Sequence, residues 1–180
     1  AGTEVFHAVY DPRGPGTVLT AVNHMIWGSQ IHFTNDLGES WISSAQSPKF
    51  ADESGRTVSQ LWHIEPGLID EPGVLYAEVT PAALFKSEDS GDTWHEVMGL
   101  TGHDTRSQWQ PGLGGLCLHS IVLDPRNLQR IWVGILAVGV FGASDGGGVC
   151  NTMGRGVQAA FLPDPLSRVR PMPGQGIGAP

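Results

Sequence analysis

His63 and Glu65 stand two residues apart in Leu61-Trp62-His63-Ile64-Glu65-Pro66, and on a strand that spacing points both side chains to one side. An imidazole beside a carboxylate can act as an acid/base pair or supply two metal ligands. A second concentration of polar and aromatic chemistry, His103, Asp104, Arg106 and Trp109, lies in the stretch 99–115, and His24 with Trp27 lies in 23–30. His7 and His119 stand at strand starts. No HExxH or CxxC spacing accompanies these residues, so neither a metal nor another cofactor is expected. Cys117, in an apolar run, and Cys150, in a Gly-rich turn, read as unpaired small residues.

The elements that must position these side chains are short strands set around one octet, Ser87-Glu88-Asp89-Ser90-Gly91-Asp92-Thr93-Trp94. Gly91 takes positive φ without Cβ strain, the short oxygens of Ser87 and Asp89 accept amide hydrogen bonds, and Thr93-Trp94 ends the turn on an aromatic anchor. A hairpin follows, with Ala83–Lys86 entering and Trp94–Val97 leaving. The octet recurs at 34–41, where Asp36, Gly38 and Trp41 hold the equivalent places. A damaged copy keeps Asp145 and Gly147 but has Val149 and Cys150 where Thr and Trp would stand.

Spacing turns the octets into repeats. The octet aspartates differ by 53 and 56 residues, and His7, His63 and His119 are spaced by 56 and 56. The first unit predicts strands at Val5–Tyr10, Thr17–Val22 and Ile31–Thr34, with Asn23–Gln30 as an interruption. The second predicts Gln60–Ile64, Val74–Val79, Ala83–Lys86 and Trp94–Val97. The third predicts Leu116–Leu123, Arg130–Ile135 and Val138–Ala143. Four short strands per unit at a fixed period predict an all-β propeller with three four-stranded antiparallel blades, about 5–43, 60–98 and 116–158. No window carries a 3.6-residue apolar period. A Pro/Gly-rich tail over 166–180 reads as disordered. Three blades make a partial propeller with two open faces, which suggests a fragment of a larger propeller or self-association through those faces.

With 18 acidic against 10 basic residues the net charge is -8, so no basic stripe is available for nucleic acid. No run of about 18 apolar residues is present to span a membrane. Localisation is left open by the sequence.

The octet Ser87-x-Asp89-x-Gly91-x-Thr93-Trp94 resembles the Asp box, or BNR repeat, of the sialidase-like propeller superfamily. That superfamily includes sialidases, xyloglucan-cleaving endoglucanases, sortilin-type receptors and a photosystem assembly factor. Leu61-Trp62-His63-Ile64-Glu65-Pro66, Trp109-Gln110-Pro111-Gly112 and Leu116-Cys117-Leu118-His119 further resemble bacterial BNR-like proteins labelled glycosyl hydrolase or exo-alpha-sialidase. The resemblance implies that the octet residues are structural and that ligands bind at the opposite face. A true sialidase would need an arginine triad and a Tyr nucleophile that are not found, since Tyr10 and Tyr76 lie inside predicted strands.

Glycoside hydrolysis needs two carboxyl groups about 5–5.5 or 6.5–9.5 Å apart across a cleft. Glu65 and Asp104, with His63, are the candidate catalytic groups, and Trp27, Trp62, His103, Arg106, Trp109 and His119 the candidate substrate contacts. The competing reading is a non-catalytic propeller that offers the same rim to a protein or glycan. In that reading the repeated histidines link neighbouring blades and the tryptophans cover the core rim.

Overall fold

The structure, a computed structural model, describes residues 3–154. The expected tail at 166–180 lies outside the described residues. Twelve strands form three separate four-stranded antiparallel sheets in simple chain order. The first holds β1 (Thr3–Tyr10), β2 (Val18–His24), β3 (Gly28–Thr34) and β4 (Ile42–Ser43). The second holds β5 (Gln60–Pro66), β6 (Leu75–Thr80), β7 (Ala83–Ser87) and β8 (His95–Glu96). The third holds β9 (Leu118–Leu123), β10 (Ile131–Ile135), β11 (Gly139–Ala143) and β12 (Asn151–Thr152). A single helical turn, α1 (Met98–Thr101), is the one α-element among the described residues.

The sheets stack face to face, and their burial follows from that stacking. Leu19, Ala21 and Ile31 of the first sheet meet Leu75, Ala77, Val79 and Phe85 of the second. Tyr76 and Leu84 point the other way and meet Ile131, Val133 and Phe141 of the third. Covered on both sides, β6 is buried from Leu75 through Val79 and reads as a near-continuous apolar run. The outlying β10 instead alternates buried with half-buried positions. Each fully buried Leu, Ile, Val or Phe contributes about 1.5–3 kcal/mol by leaving water.

The octet turns join the third and fourth strands of every sheet, at one common end. Asp89 accepts from Thr93 N at 2.8 Å, from Thr93 Oγ1 at 2.6 Å and from Ser87 Oγ at 2.8 Å, while Gly91 N donates to Ser87 Oγ at 2.9 Å. Trp94 Nε1 then donates to Gly91 O at 3.1 Å. These bonds hold the Asp89 carboxyl down to about 2, the Thr93 hydroxyl first. Asp36 is held by Ser40 and Thr34 in the same way. Asp145 keeps only the amide of Val149, at 3.0 and 3.1 Å.

Each octet also clasps the turn between the first two strands of its own sheet. Leu37 N donates to Gly16 O, Ser90 N to Gly73 O and Gly146 N to Gln129 O, at 2.8–3.0 Å. Gly73 has φ 79°, and a Cβ there would lie 2.9 Å from Glu88 O, so both the turn and the close approach require glycine.

Two sequence expectations need correction. Asn23–Gln30 does not interrupt the first sheet: β2 runs to His24 and β3 starts at Gly28, leaving only Met25, Ile26 and Trp27 as the loop. His24 Nδ1 accepts from Ile26 N and Trp27 N at 3.1 and 3.2 Å, which closes so short a loop. The 56-residue histidine spacing also conceals a register change. Each innermost strand carries one bulged residue, Phe6, Trp62 and His119, and His119 is thereby the counterpart of Trp62. Ser120, paired with Gly134, stands where His63 pairs with Glu78.

Candidate functional site

The innermost strands β1, β5 and β9 lie side by side, and one polar cluster is built where β1 meets β5. His63 Nε2 lies 3.2 Å from Glu65 Oε2, as the two-residue spacing on β5 demands. Its Nδ1 lies 3.4 Å from Oε2 of Glu78, the residue registered opposite it on β6. The ring of His7 tilts over that of His63 with centroids 3.7 Å apart. The same side-by-side placement stacks Phe6 on Trp62 at 4.7 Å.

Glu78 is the residue that sequence reasoning missed. It is fully buried, and neither carboxyl oxygen has a hydrogen-bond partner among the described residues. Burial first, and the nearby charge of Glu65 second, push its carboxyl well above the ordinary value. The one signal in the sequence was a carboxylate inside the apolar run Val74-Leu75-Tyr76-Ala77-Glu78-Val79. His7 shifts the opposite way, below 6.5, through burial first and His63 second, and its Nδ1 is buried without a partner. The cluster thus sets a buried carboxyl, an imidazole and a more exposed carboxyl in series, the group types that acid/base chemistry uses. Among the described residues no group of three or more His, Cys, Asp or Glu side chains is placed to hold a metal ion.

Glu65 and Asp104 are not brought together. Glu65 is the penultimate residue of β5, at the end shared with the octet turns, and lines a groove of about 460 Å³ with Tyr10, Pro12, Ile69 and Val122. Asp104 is exposed in the connection from β8 to β9, which covers the opposite end: Arg106 Nη1 of that connection donates to Ala82 O, in the β6–β7 hairpin, at 2.6 Å. Glu78 is nearer to Glu65, but the His63 ring fills the space between them.

The candidate substrate contacts divide in the same way. Trp109 is 5 % exposed, with Arg106 over its ring at 4.6 Å and Phe141 at 5.0 Å, so no face is left for a sugar. His103 packs edge-on to Phe141 at 5.1 Å and bonds Thr105 at 2.9 Å. Together these residues plug the gap between the second and third sheets. Trp62 has one face on Phe6 and its Nε1 on Thr80 Oγ1 at 2.6 Å. His119 is exposed at its bulge. Trp27 alone of these tryptophans stands free, 72 % exposed at the hairpin tip, beside a 240 Å³ pocket lined by Glu4, Asn23, His24, Met25, Gly28, Ser59 and Gln60. Cys117 and Cys150 are free and buried, and burial raises both thiols, Cys150 to about 11.

Three stacked four-stranded sheets with inner strands adjacent define a β-propeller fold, of which the described residues form an arc of three blades. Solved propellers match over most of the chain. An ancestral GH74 enzyme aligns with TM-score 0.57 and 17 % identity, covering 85 % of this chain and 18 % of its own. The GH74 xyloglucanase from Xanthomonas campestris aligns with TM-score 0.58 and 16 % identity, covering 88 % and 24 %. YCF48 from Cyanidioschyzon merolae aligns with TM-score 0.56 and 10 % identity, covering 83 % and 40 %. The chain therefore spans less than half the length of each of these structures. No family model matches the sequence, and no curated protein matches it.

Proposed function

We propose that the chain binds carbohydrate at the end opposite the octet turns, as the binding segment of a glycoside-hydrolase-like propeller of the Asp-box type. The observation that carries this reading is Trp27, an exposed aromatic at the tip of the hairpin whose Met25 and Gly28 line a 240 Å³ pocket together with Glu4, Asn23, His24, Ser59 and Gln60. Sugars are held by that combination, a ring face stacked on an aromatic and hydroxyls paired with fixed polar groups. His24 fixes the tip by accepting both loop amides, so little ordering is left to be done on binding. The likeness in fold to two GH74 enzymes is consistent with this reading. Hydrolysis is not assigned to this arc, because its two best-placed surface carboxylates, Glu65 and Asp104, lie at opposite ends.

Xyloglucan oligosaccharide is the first probe, taken from the named substrate of the xyloglucanase neighbour. Titration should change the tryptophan fluorescence, and Trp27→Ala should weaken binding roughly tenfold, within the 1–3 kcal/mol expected of an aromatic anchor. Saturable binding that Trp27→Ala leaves intact would sink the proposal. A second reading, a protein-binding scaffold, is favoured by Met25 and Ile26, exposed at 84 % and 73 % beside Trp27. Under it, Met25→Ser with Ile26→Ser removes binding to a protein ligand while Trp27 remains.

A further inference from the structure

Arg13 and Arg126 occupy the same place in the same kind of turn, but only one of them has a neighbour. In the turn after β1, Asp11 accepts from Arg13 N at 2.9 Å and from its Nη2 at 2.8 Å. Burial pushes the Asp11 carboxyl up, but the Arg13 hydrogen bonds outweigh it and hold the carboxyl below its ordinary value. Aimed in this way, Arg13 Nη1 crosses to the second sheet and donates to Glu71 O at 2.6 Å and Val74 O at 2.8 Å. The third sheet repeats Asp-Pro-Arg as Asp124-Pro125-Arg126, again with the arginine amide on the aspartate at 2.9 Å. Arg126 is exposed, and among the described residues its guanidinium donates no hydrogen bond.

The sheet face beside Arg126 is prepared for burial. Register aligns Trp132 and Val140 of the third sheet with Tyr76 and Leu84, the residues by which the second sheet covers the third. Gly134 and Gly142 stand where the second sheet has Glu78 and Lys86, so this face is also smooth. Val122 and Met153 are exposed at 58 % and 49 %. The first sheet has the complementary vacancy. Its Val18, Thr20 and Val22 hold the positions of Leu75, Ala77 and Val79, through which the second sheet receives the first; Thr20 and Val22 are already buried within their own sheet, and the open part of this face is Val5 and Tyr10, registered opposite Val22 and Val18 and exposed at 58 % and 52 %. Its turn is closed by the Thr17 carbonyl, as the second sheet's is by that of Val74.

We propose that the free face of the third sheet docks the first sheet of a second copy of this chain, with Arg126 donating to the carbonyls of the 11–17 turn. The interface continues the one already present between the first and second sheets, including its arginine. This selects the first sheet of another copy, the described sheet whose receiving face is open. The contact is heterologous, and the described sheets of two copies, joined at both ends, make a ring of six blades, inside the range of 4–8 at which propellers close.

Sedimentation of the full chain over a wide concentration range should show a reversible dimer. Trp132→Arg, on the donating face, and Val18→Arg, on the receiving face, should each weaken dimerisation at least roughly tenfold. Arg126→Lys should weaken it less than Arg126→Ala, since the charge survives and the fork does not. Circular dichroism checks that each variant is folded. Mixing the Trp132→Arg and Val18→Arg proteins restores one intact interface, so the mixture should associate where neither protein does alone. A wild type that is monomeric throughout, a dimer indifferent to both arginines, or a mixture that fails to recover would each overturn the proposal.

Discussion

Replacing Glu78 by Gln keeps the shape of the buried side chain and removes its proton. In the folded protein the Glu78 carboxyl is raised well above its ordinary 4.5 by burial and by Glu65, so the fold holds a proton that the unfolded chain gives up above that pH. Its contribution to stability is therefore complete below about pH 4.5 and is lost as pH rises through the raised folded value. One proton changes stability by at most about 1.4 kcal/mol per pH unit, or about 2.7 kcal/mol between pH 5 and pH 7. The assay is urea unfolding of both proteins at a series of pH values, followed by tryptophan fluorescence. The wild type should lose stability relative to Glu78→Gln as pH rises, with a slope near that limit until Glu78 ionises. Parallel curves across the whole series would mean that the Glu78 carboxyl is not raised by its burial.

His7 gives the opposite slope. Its folded value is lowered from 6.5 by burial and by His63, so stability is present above 6.5 and is lost as pH falls toward the folded value; in the Glu78→Gln background, His7→Phe should flatten that acid limb of the unfolding curve. The octets should differ in weight: Asp89→Asn and Asp36→Asn each disturb hydrogen bonds to a hydroxyl-bearing turn and should lower the melting temperature more than Asp145→Asn, which affects only the Val149 amide. Equal shifts would count against the octet geometry described above. Arg56 holds the outer strand β8 by a paired contact with Glu96, both bonds at 3.0 Å, and covers Phe50 at 4.1 Å. Arg56→Ala should cost about 1.5–3 kcal/mol and Arg56→Lys most of that, measured by chemical unfolding, because lysine restores the charge but not the fork.

Much of the propeller was legible because each level of the sequence repeats the same instruction. Gly91, Asp89 and Trp94 specify a turn locally, and the copies at Asp36 and Asp145 give the period that divides the chain into sheets. The site was legible only where spacing along one strand decides it: His63 and Glu65 meet because two residues on a strand share a side. Trp109 and Arg106 looked like rim chemistry because loops carry functional groups, but their connection turns them inward and uses Trp109 as a plug against Phe141, leaving Asp104 exposed. His119 misled through a spacing of 56 that ignored the bulge in β9.

What the amino-acid sequence determined by itself is therefore the local and the repeated: turns that need glycine and a short oxygen, and short strands recurring at a fixed period. Tertiary structure alone decided which residues from different strands share a space. The Glu78 carboxyl is raised only because the neighbouring sheets bury both its oxygens and the fold brings Glu65 near it. Glu65 and Asp104 part because strand direction carries one to the octet end and leaves the other at the far rim. Those outcomes depend on register and on sheet stacking, which join residues far apart in the chain and leave no mark in the spacing of either one.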